Sequence, residues 1–169
     1  MCCQDLQKSR KSTGIASIEP AVGEALQKKY ESMRLEDGIG AVQNECLLFH
    51  GTSFETAKII ANEGFDSRLA KDGYYGKGTY FASQSCKSAQ YSRDSFSHKC
   101  IILARVALGH PHYADRCNNR WTRPPPDADS VIARPGEMGG HHGRYQTHME
   151  FVIFDARWQA YPEFIILYD

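Results

Sequence analysis

His50, Tyr80, Ser88, Tyr91 and Glu150 are the side chains of this chain whose groups and spacing suit ligand chemistry. The apolar run "CLLFH" ends on His50, and Gly51 and Thr52 follow at once. A glycine at such a strand end lets backbone N–H and C=O groups approach a ligand closely. Ser88 and Tyr91 stand three apart in "SQSCKSAQYS", which reads as a helix, so both side chains fall on one face. A hydroxyl beside an aromatic ring suits a flat aromatic amide: the ring stacks and the hydroxyl bonds to the carbonyl. Tyr80, in "GTYFA", offers the opposite wall, and Glu150 sets a carboxylate at the head of "EFVIF". Each also has an ordinary reading. A histidine can be a satisfied core residue, a tyrosine beside a core usually packs, and a glutamate at a strand start is usually an exposed edge residue. Only their convergence separates the two accounts.

The elements that must bring them together can be read from periodicity and punctuation. "GIASIE" predicts a short edge strand, and Pro20 suits the first position of a helix, where its missing N–H costs nothing. Val22, Leu26, Tyr30 and Met33 then recur at helical spacing. "CLLFH" predicts a buried strand. "TSFE" has capping-box spacing, with Thr52 as the cap and Glu55 three later. Phe54, Ala57, Ile60 and Ala61 form the inward face of that helix, and Gly64 ends it. "DSRLAKDGYYGKG" predicts a loop before the short run "TYFA". A second helix over "SQSCKSAQYS" turns Ala82, Cys86 and Ala89 inward. "CIILARVALG", "EFVIF" and "FIILY" are three further strands, the last two separated by a turn around "DARWQAYPE". The stretch 110–149, with "RPPPDAD" and "RPGEMGGHHGR", shows little periodicity and predicts a long functional loop. Many short strands with few short helices define an α+β class. "GYYGKG" has the wrong spacing for a dinucleotide or Walker loop, and no βαβ alternation supports a doubly wound fold.

Composition bounds the rest. The chain has 169 residues, 41% of them apolar, with 20 basic and 20 acidic side chains. That length supports one core and one domain over 15–169, preceded by a polar, flexible tail at 1–14. A balanced charge gives no general pull towards nucleic acid or membrane. No apolar run approaches the roughly 18 residues of a membrane span, and the start lacks a signal-peptide pattern, so cytoplasm or nucleus is the default compartment and a monomer the default state. The six cysteines show no CxxC pairing. His98, Cys100, His110, His112 and Cys117 form the nearest approach to a ligand cluster, but free thiols and no metal are the expectation.

Taken together, "LFHGTSFETAKIIANEGF", "YYGKGTYFASQSCKSAQY", "SVIARPG" and "EFVIFDARWQAYPEFIILY" resemble the catalytic domain of the poly- and mono-ADP-ribosyltransferases of the diphtheria-toxin-like class, the PARP family, with tankyrase as the nearest relative. Four motifs in consistent order over 46–169 are far more specific than any one. The resemblance implies two small, mostly antiparallel sheets with short flanking helices and an NAD cleft between them. The family's histidine, tyrosine and glutamate fall on His50, Tyr80 and Glu150. By resemblance, His50 bonds a ribose hydroxyl on the adenosine side. Gly51 and Ser88 hold the nicotinamide carboxamide, Tyr91 stacks on the ring with Tyr80 on its other side, Thr52 contacts the adenosine ribose, and Arg68 approaches adenosine or pyrophosphate. Chemistry agrees with the glutamate's place: breaking the nicotinamide–ribose bond develops positive charge on the ribose, which a carboxylate stabilises.

The implied activity is transfer of ADP-ribose from NAD to protein acceptors, with nicotinamide released. Single transfer is slightly favoured over chain growth, because relatives with the full signature include mono-transferases and the chain shows no polymer-binding module; Met149 precedes the glutamate where a polymer-forming relative has asparagine, which leaves elongation open. Fewer than 50 residues precede His50, too few for the helical regulatory domain many relatives carry. "SRDSFSHKC" is too short for the tankyrase zinc insertion. Rival readings are an NAD glycohydrolase, transfer to nucleic acid (possible but not favoured by the charge), and a non-catalytic NAD-binding interaction domain.

Overall fold

A computed structural model describes residues 14–21, 23–36, 44–92, 99–134, 136–140, 143–146 and 148–169. The expected tail (but for Gly14), Val22, His98 and the pair His141-His142 lie outside the described residues, as does the side chain of Met33.

Eleven strands and four helices are described. In chain order they are β1 (Ile15–Pro20), α1 (Glu24–Glu36), β2 (Glu45–Gly51), α2 (Phe54–Glu63), β3 (Lys71–Gly73), β4 (Gly76–Ala82), α3 (Ser85–Ala89), β5 (Lys99–Ala107), β6 (Pro111–Ala114), β7 (Ser130–Ala133), β8 (Glu137–Gly140), β9 (Gly143–Gln146), β10 (Glu150–Ile153), α4 (Ala156–Gln159) and β11 (Ala160–Tyr168). The α+β class and the mainly antiparallel pairing are as expected. The main sheet runs β1-β11-β5-β2-β4-β10-β7-β6, with β3 beside β4, while β8 and β9 form a separate hairpin. The two expected sheets are halves of one path, joined where β2 meets β4 through the single pair Phe49 and Ala82. The β6–β7 pair is parallel.

The apolar run of β5 is buried on both faces along much of its length, between β11 and β2. β11 shifts register between Pro162 and Phe164, as a residue without an N–H requires in a central strand. The buried stripe Ala57, Ile60 and Ala61 packs α2 onto β5 and β11. Around it lie Leu48, Phe81, Ile102, Val106 and Ile153; burying each such large side chain contributes about 1.5–3 kcal/mol. A second cluster of Tyr75, Ala114, Val131, Ala133 and Val152, flanked by Tyr80 and Trp121, lies under the other half.

Several local expectations change. Pro20 ends β1, and α1 starts at Glu24. An edge strand tolerates proline as well as a helix start does. The cap of α2 is Ser53, whose hydroxyl accepts from the Thr56 N–H at 3.3 Å; Thr52 is one residue too early, and the capping-box spacing misplaced the turn. "DSRLAKDGYYGKG" is a short 3-10 turn at Ser67–Leu69 followed by the β3–β4 hairpin. Gly76 makes that hairpin possible: its φ is +94°, and a Cβ there would fall 2.2 Å from the Trp121 carbonyl oxygen. The second helix is shorter than expected, Ser85–Ala89, with Ala82 left in β4 and Ser88 as its buried residue. The stretch 110–149 is not one loop: β6 and β7 extend the main sheet. Cys86 is disulfide-bonded rather than a free thiol, whereas Cys46 and Cys100 are free.

Candidate active site

The seam between the sheet halves builds the site. Beyond Phe49 and Ala82 the ladder between β2 and β4 stops. The next carbonyl on β4, that of Tyr80, accepts instead from the His50 ring, with Nδ1 2.9 Å away. A carbonyl only accepts, so Nδ1 carries the proton and Nε2 keeps its lone pair. Burial pushes the imidazole's pKa down, and the bond to Tyr80 only partly opposes this. The ring is therefore neutral, wedged edge-on to Phe65 and tilted against Phe81, with Nε2 able to accept from a ligand hydroxyl.

Tyr80 is fixed through its other end. Its hydroxyl donates to the Gly76 carbonyl at 2.7 Å and accepts from the Tyr75 N–H at 3.0 Å. Burial raises its pKa to about 12, with the negative charge of Glu150 adding to the shift and the Tyr75 N–H opposing it. The phenol is thus protonated at neutral pH and its ring is a fixed wall.

Gly51 lies where α3 presses on the end of β2. A Cβ there would fall 1.8 Å from the Ser88 carbonyl oxygen and 3.0 Å from the Tyr91 Cβ, so only glycine permits the approach. The Ser88 hydroxyl is buried and donates to the Phe49 carbonyl at 2.8 Å. Tyr91 sits just past the helix end, its N–H donating to the Ser88 carbonyl at 3.0 Å and its ring largely exposed. Gly51, Ser88 and Tyr91 therefore converge, although the observed helix ends before Tyr91, which the spacing had placed within it.

Glu150 opens β10, opposite Ala82 on β4 and Ala133 on β7. It is 9% exposed, and its Oε1 lies 2.5 Å from Lys87 Nζ. The same ammonium is 3.2 Å from Tyr91 Oη. Burial pulls the Lys87 pKa down, but the hydrogen bond and charge of Glu150, with Tyr91, outweigh it and leave it raised. Lys87 was not singled out from the sequence. A lysine on a short polar helix carries no signal of its own; only its placement beside Ser88 and four residues before Tyr91 hinted at it. The same holds for the bond of 2.6 Å between His148 Nδ1 and Gln84 Oε1.

Two expected residues stand apart. Thr52 follows Gly51, and its carbonyl accepts from the Cys100 thiol at 3.5 Å. Arg68 lies on the 3-10 turn, clasped by Asp66 through Nε at 3.0 Å and Nη2 at 2.6 Å. That turn borders the site through Phe65 against His50. Among the described residues no three His, Cys, Asp or Glu side chains are placed to hold a metal, and His112 packs edge-on to Trp121. No helix among them is long and apolar enough to cross a membrane.

A mainly antiparallel sheet with a histidine at its seam and a buried glutamate facing a short helix defines an α+β class with a ligand site at the seam. The model of the poly(ADP-ribose) polymerase catalytic domain matches residues 2–169, and the chain belongs to that family. The chain is 28% identical to mouse protein mono-ADP-ribosyltransferase PARP11, over 82% of this chain and 46% of that protein. It is 32% identical to human protein mono-ADP-ribosyltransferase PARP12, over 88% of this chain and 20% of that protein. To human protein mono-ADP-ribosyltransferase PARP3 it is 39% identical, over 54% of this chain and 18% of that protein. The chain thus spans less than half the length of these relatives. They support the family resemblance and do not single out tankyrase, the nearer relative expected from the motifs.

Proposed function

We propose that this chain transfers single ADP-ribose units from NAD to protein acceptors and releases nicotinamide. The observation that carries the reading is the convergence of Gly51, Ser88, Tyr91 and Glu150 around α3, within a chain of the PARP catalytic family. The backbone of Gly51 holds the carboxamide of the nicotinamide, the Ser88 hydroxyl, which donates to Phe49, accepts from its N–H, and the exposed Tyr91 ring stacks on it. His50 Nε2 accepts from a ribose hydroxyl on the adenosine side, with Thr52 beside it, and the Arg68 guanidinium meets the pyrophosphate. Tyr80 lines the far wall. Glu150 stabilises the positive charge that develops on the nicotinamide ribose as the glycosidic bond breaks. The names of the relatives favour single transfer over chain growth.

Labelled NAD with the pure protein and candidate acceptor proteins tests the reading. Nicotinamide release and a single-unit label on the acceptor, both abolished in Glu150→Gln, are expected. Long labelled products would replace single transfer with chain growth. Release without a labelled acceptor would mean hydrolysis, and tight NAD binding without either signal would mean a non-catalytic domain.

A further inference from the structure

Two rungs join α3 to the start of β10. Gln84, at the N-cap of α3, makes no capping bond with its side chain; its Oε1 lies 2.6 Å from His148 Nδ1. Three residues on, Lys87 reaches Glu150 at 2.5 Å. Gln84 immediately precedes the helix that carries Lys87, and His148 precedes Glu150 by two residues. Gln84 and Lys87 thus tie His148 and the glutamate to the same short helix.

The partner fixes the ring's chemistry. An amide oxygen only accepts, so Nδ1–H donates and Nε2 is left with its lone pair. Orientation of an imidazole by an acceptor on one nitrogen, with the other kept basic, is the arrangement of a general base. Glu150 is already engaged through Oε1, which holds the Lys87 ammonium. Gln84 is neutral, Lys87 and Glu150 pair with each other, and Arg134, next to the Ala133 that opposes Glu150, faces the Tyr113 ring and Asp115.

We infer that His148, held by Gln84, is the general base for a hydroxyl acceptor, so that the chain modifies serine, threonine or tyrosine side chains. The inference rests on the transferase reading above. The hydroxyl oxygen uses a lone pair to form the bond to the ribose carbon. The bond from that carbon to nicotinamide breaks, its electron pair going to the ring nitrogen, which leaves neutral. The hydroxyl proton passes to His148 Nε2 and then to water. A carboxylate acceptor arrives ionised and needs no such base.

The test uses labelled NAD and two peptides, one whose only nucleophilic side chain is serine and one whose only nucleophilic side chain is glutamate. In His148→Gln, transfer to the serine peptide falls by about 100-fold or more. Transfer to the glutamate peptide stays within about twofold, which also shows that the variant is folded. Gln84→Leu gives a smaller fall on serine only. Equal rates for wild type and His148→Gln on serine, equal losses on both peptides, or a wild type that labels glutamate alone would each overturn the inference. A wild type that neither releases nicotinamide nor labels either peptide sinks the transferase reading itself, and the inference with it.

Discussion

Lys87 Nζ lies 2.5 Å from Glu150 Oε1, with only 18% and 11% of the two side chains exposed. The pair spans from α3 to β10 and so fixes the carboxylate against the helix that carries Ser88. Removing one partner leaves the other charge largely buried and unpaired. Lys87→Met is therefore expected to lose about 2 kcal/mol of stability and at least tenfold in kcat, with nicotinamide inhibition nearly unchanged. Glu150→Gln should cost roughly 100- to 1,000-fold in kcat. Because both act through one contact, the double variant should be far less impaired than the product of the single losses. Steady-state nicotinamide release on the four proteins checks this, and full additivity would count against the shared role.

Gly51→Ala tests the closeness of α3 to β2. A methyl group 1.8 Å from the Ser88 carbonyl oxygen has no flexible neighbour to push aside, so backbone must move. The expected loss is about 1–3 kcal/mol by overpacking, seen as a lower melting temperature. Nicotinamide should also inhibit at least tenfold more weakly, since Ser88 and Tyr91 shift with the helix. An unchanged inhibition constant in a folded variant would remove Gly51 from the ring site.

The strands were legible because burial leaves a direct mark on composition: "CLLFH", "CIILARVALG" and "EFVIF" cannot be much else in a chain of this size. The glycine at 51 and the pair Ser88 and Tyr91 were legible because close approach and one-faced spacing restrict residue type. What stayed hidden depends on pairing between distant segments. The β3–β4 hairpin read as a loop because its turn is built by Tyr74 and Tyr75 and closed by Trp121 from a remote stretch, whose carbonyl accepts from the Lys77 N–H at 2.7 Å. β6 and β7 were missed for the same reason, since a four-residue strand such as Pro111–Ala114 is defined by its neighbour rather than by its own pattern. Lys87 and His148 were invisible as site residues because polar side chains on short elements gain meaning only from the partners they meet.

Tyr80→Phe separates the wall from its anchor. The phenylalanine keeps the ring but strips the Gly76 carbonyl of its donor at 2.7 Å and the Tyr75 N–H of its acceptor at 3.0 Å. Leaving such groups unsatisfied costs about 1–3 kcal/mol. The urea midpoint should fall accordingly, and the Tyr75 amide should exchange with solvent faster than in wild type. No change in either would mean the hairpin does not depend on the hydroxyl.

His50 gives the pH dependence. Its folded-state pKa is lowered from 6.5 by burial, so the folded ring stays neutral where the unfolded ring has begun to protonate. Below about pH 6.5 the unfolded chain therefore binds more protons at this site, and by linkage stability falls as pH falls. The contribution is whole above the unfolded value and declines towards the lowered folded one. One proton limits the slope to about 1.4 kcal/mol per pH unit. His50→Gln keeps a donor for the Tyr80 carbonyl and cannot titrate. Urea unfolding of both proteins from pH 7.5 to 5 is expected to show wild type losing stability faster than the variant, the other histidines cancelling in the difference. Parallel curves would mean that the imidazole protonates as readily in the fold as outside it, and that the bond to Tyr80, not burial, governs its charge.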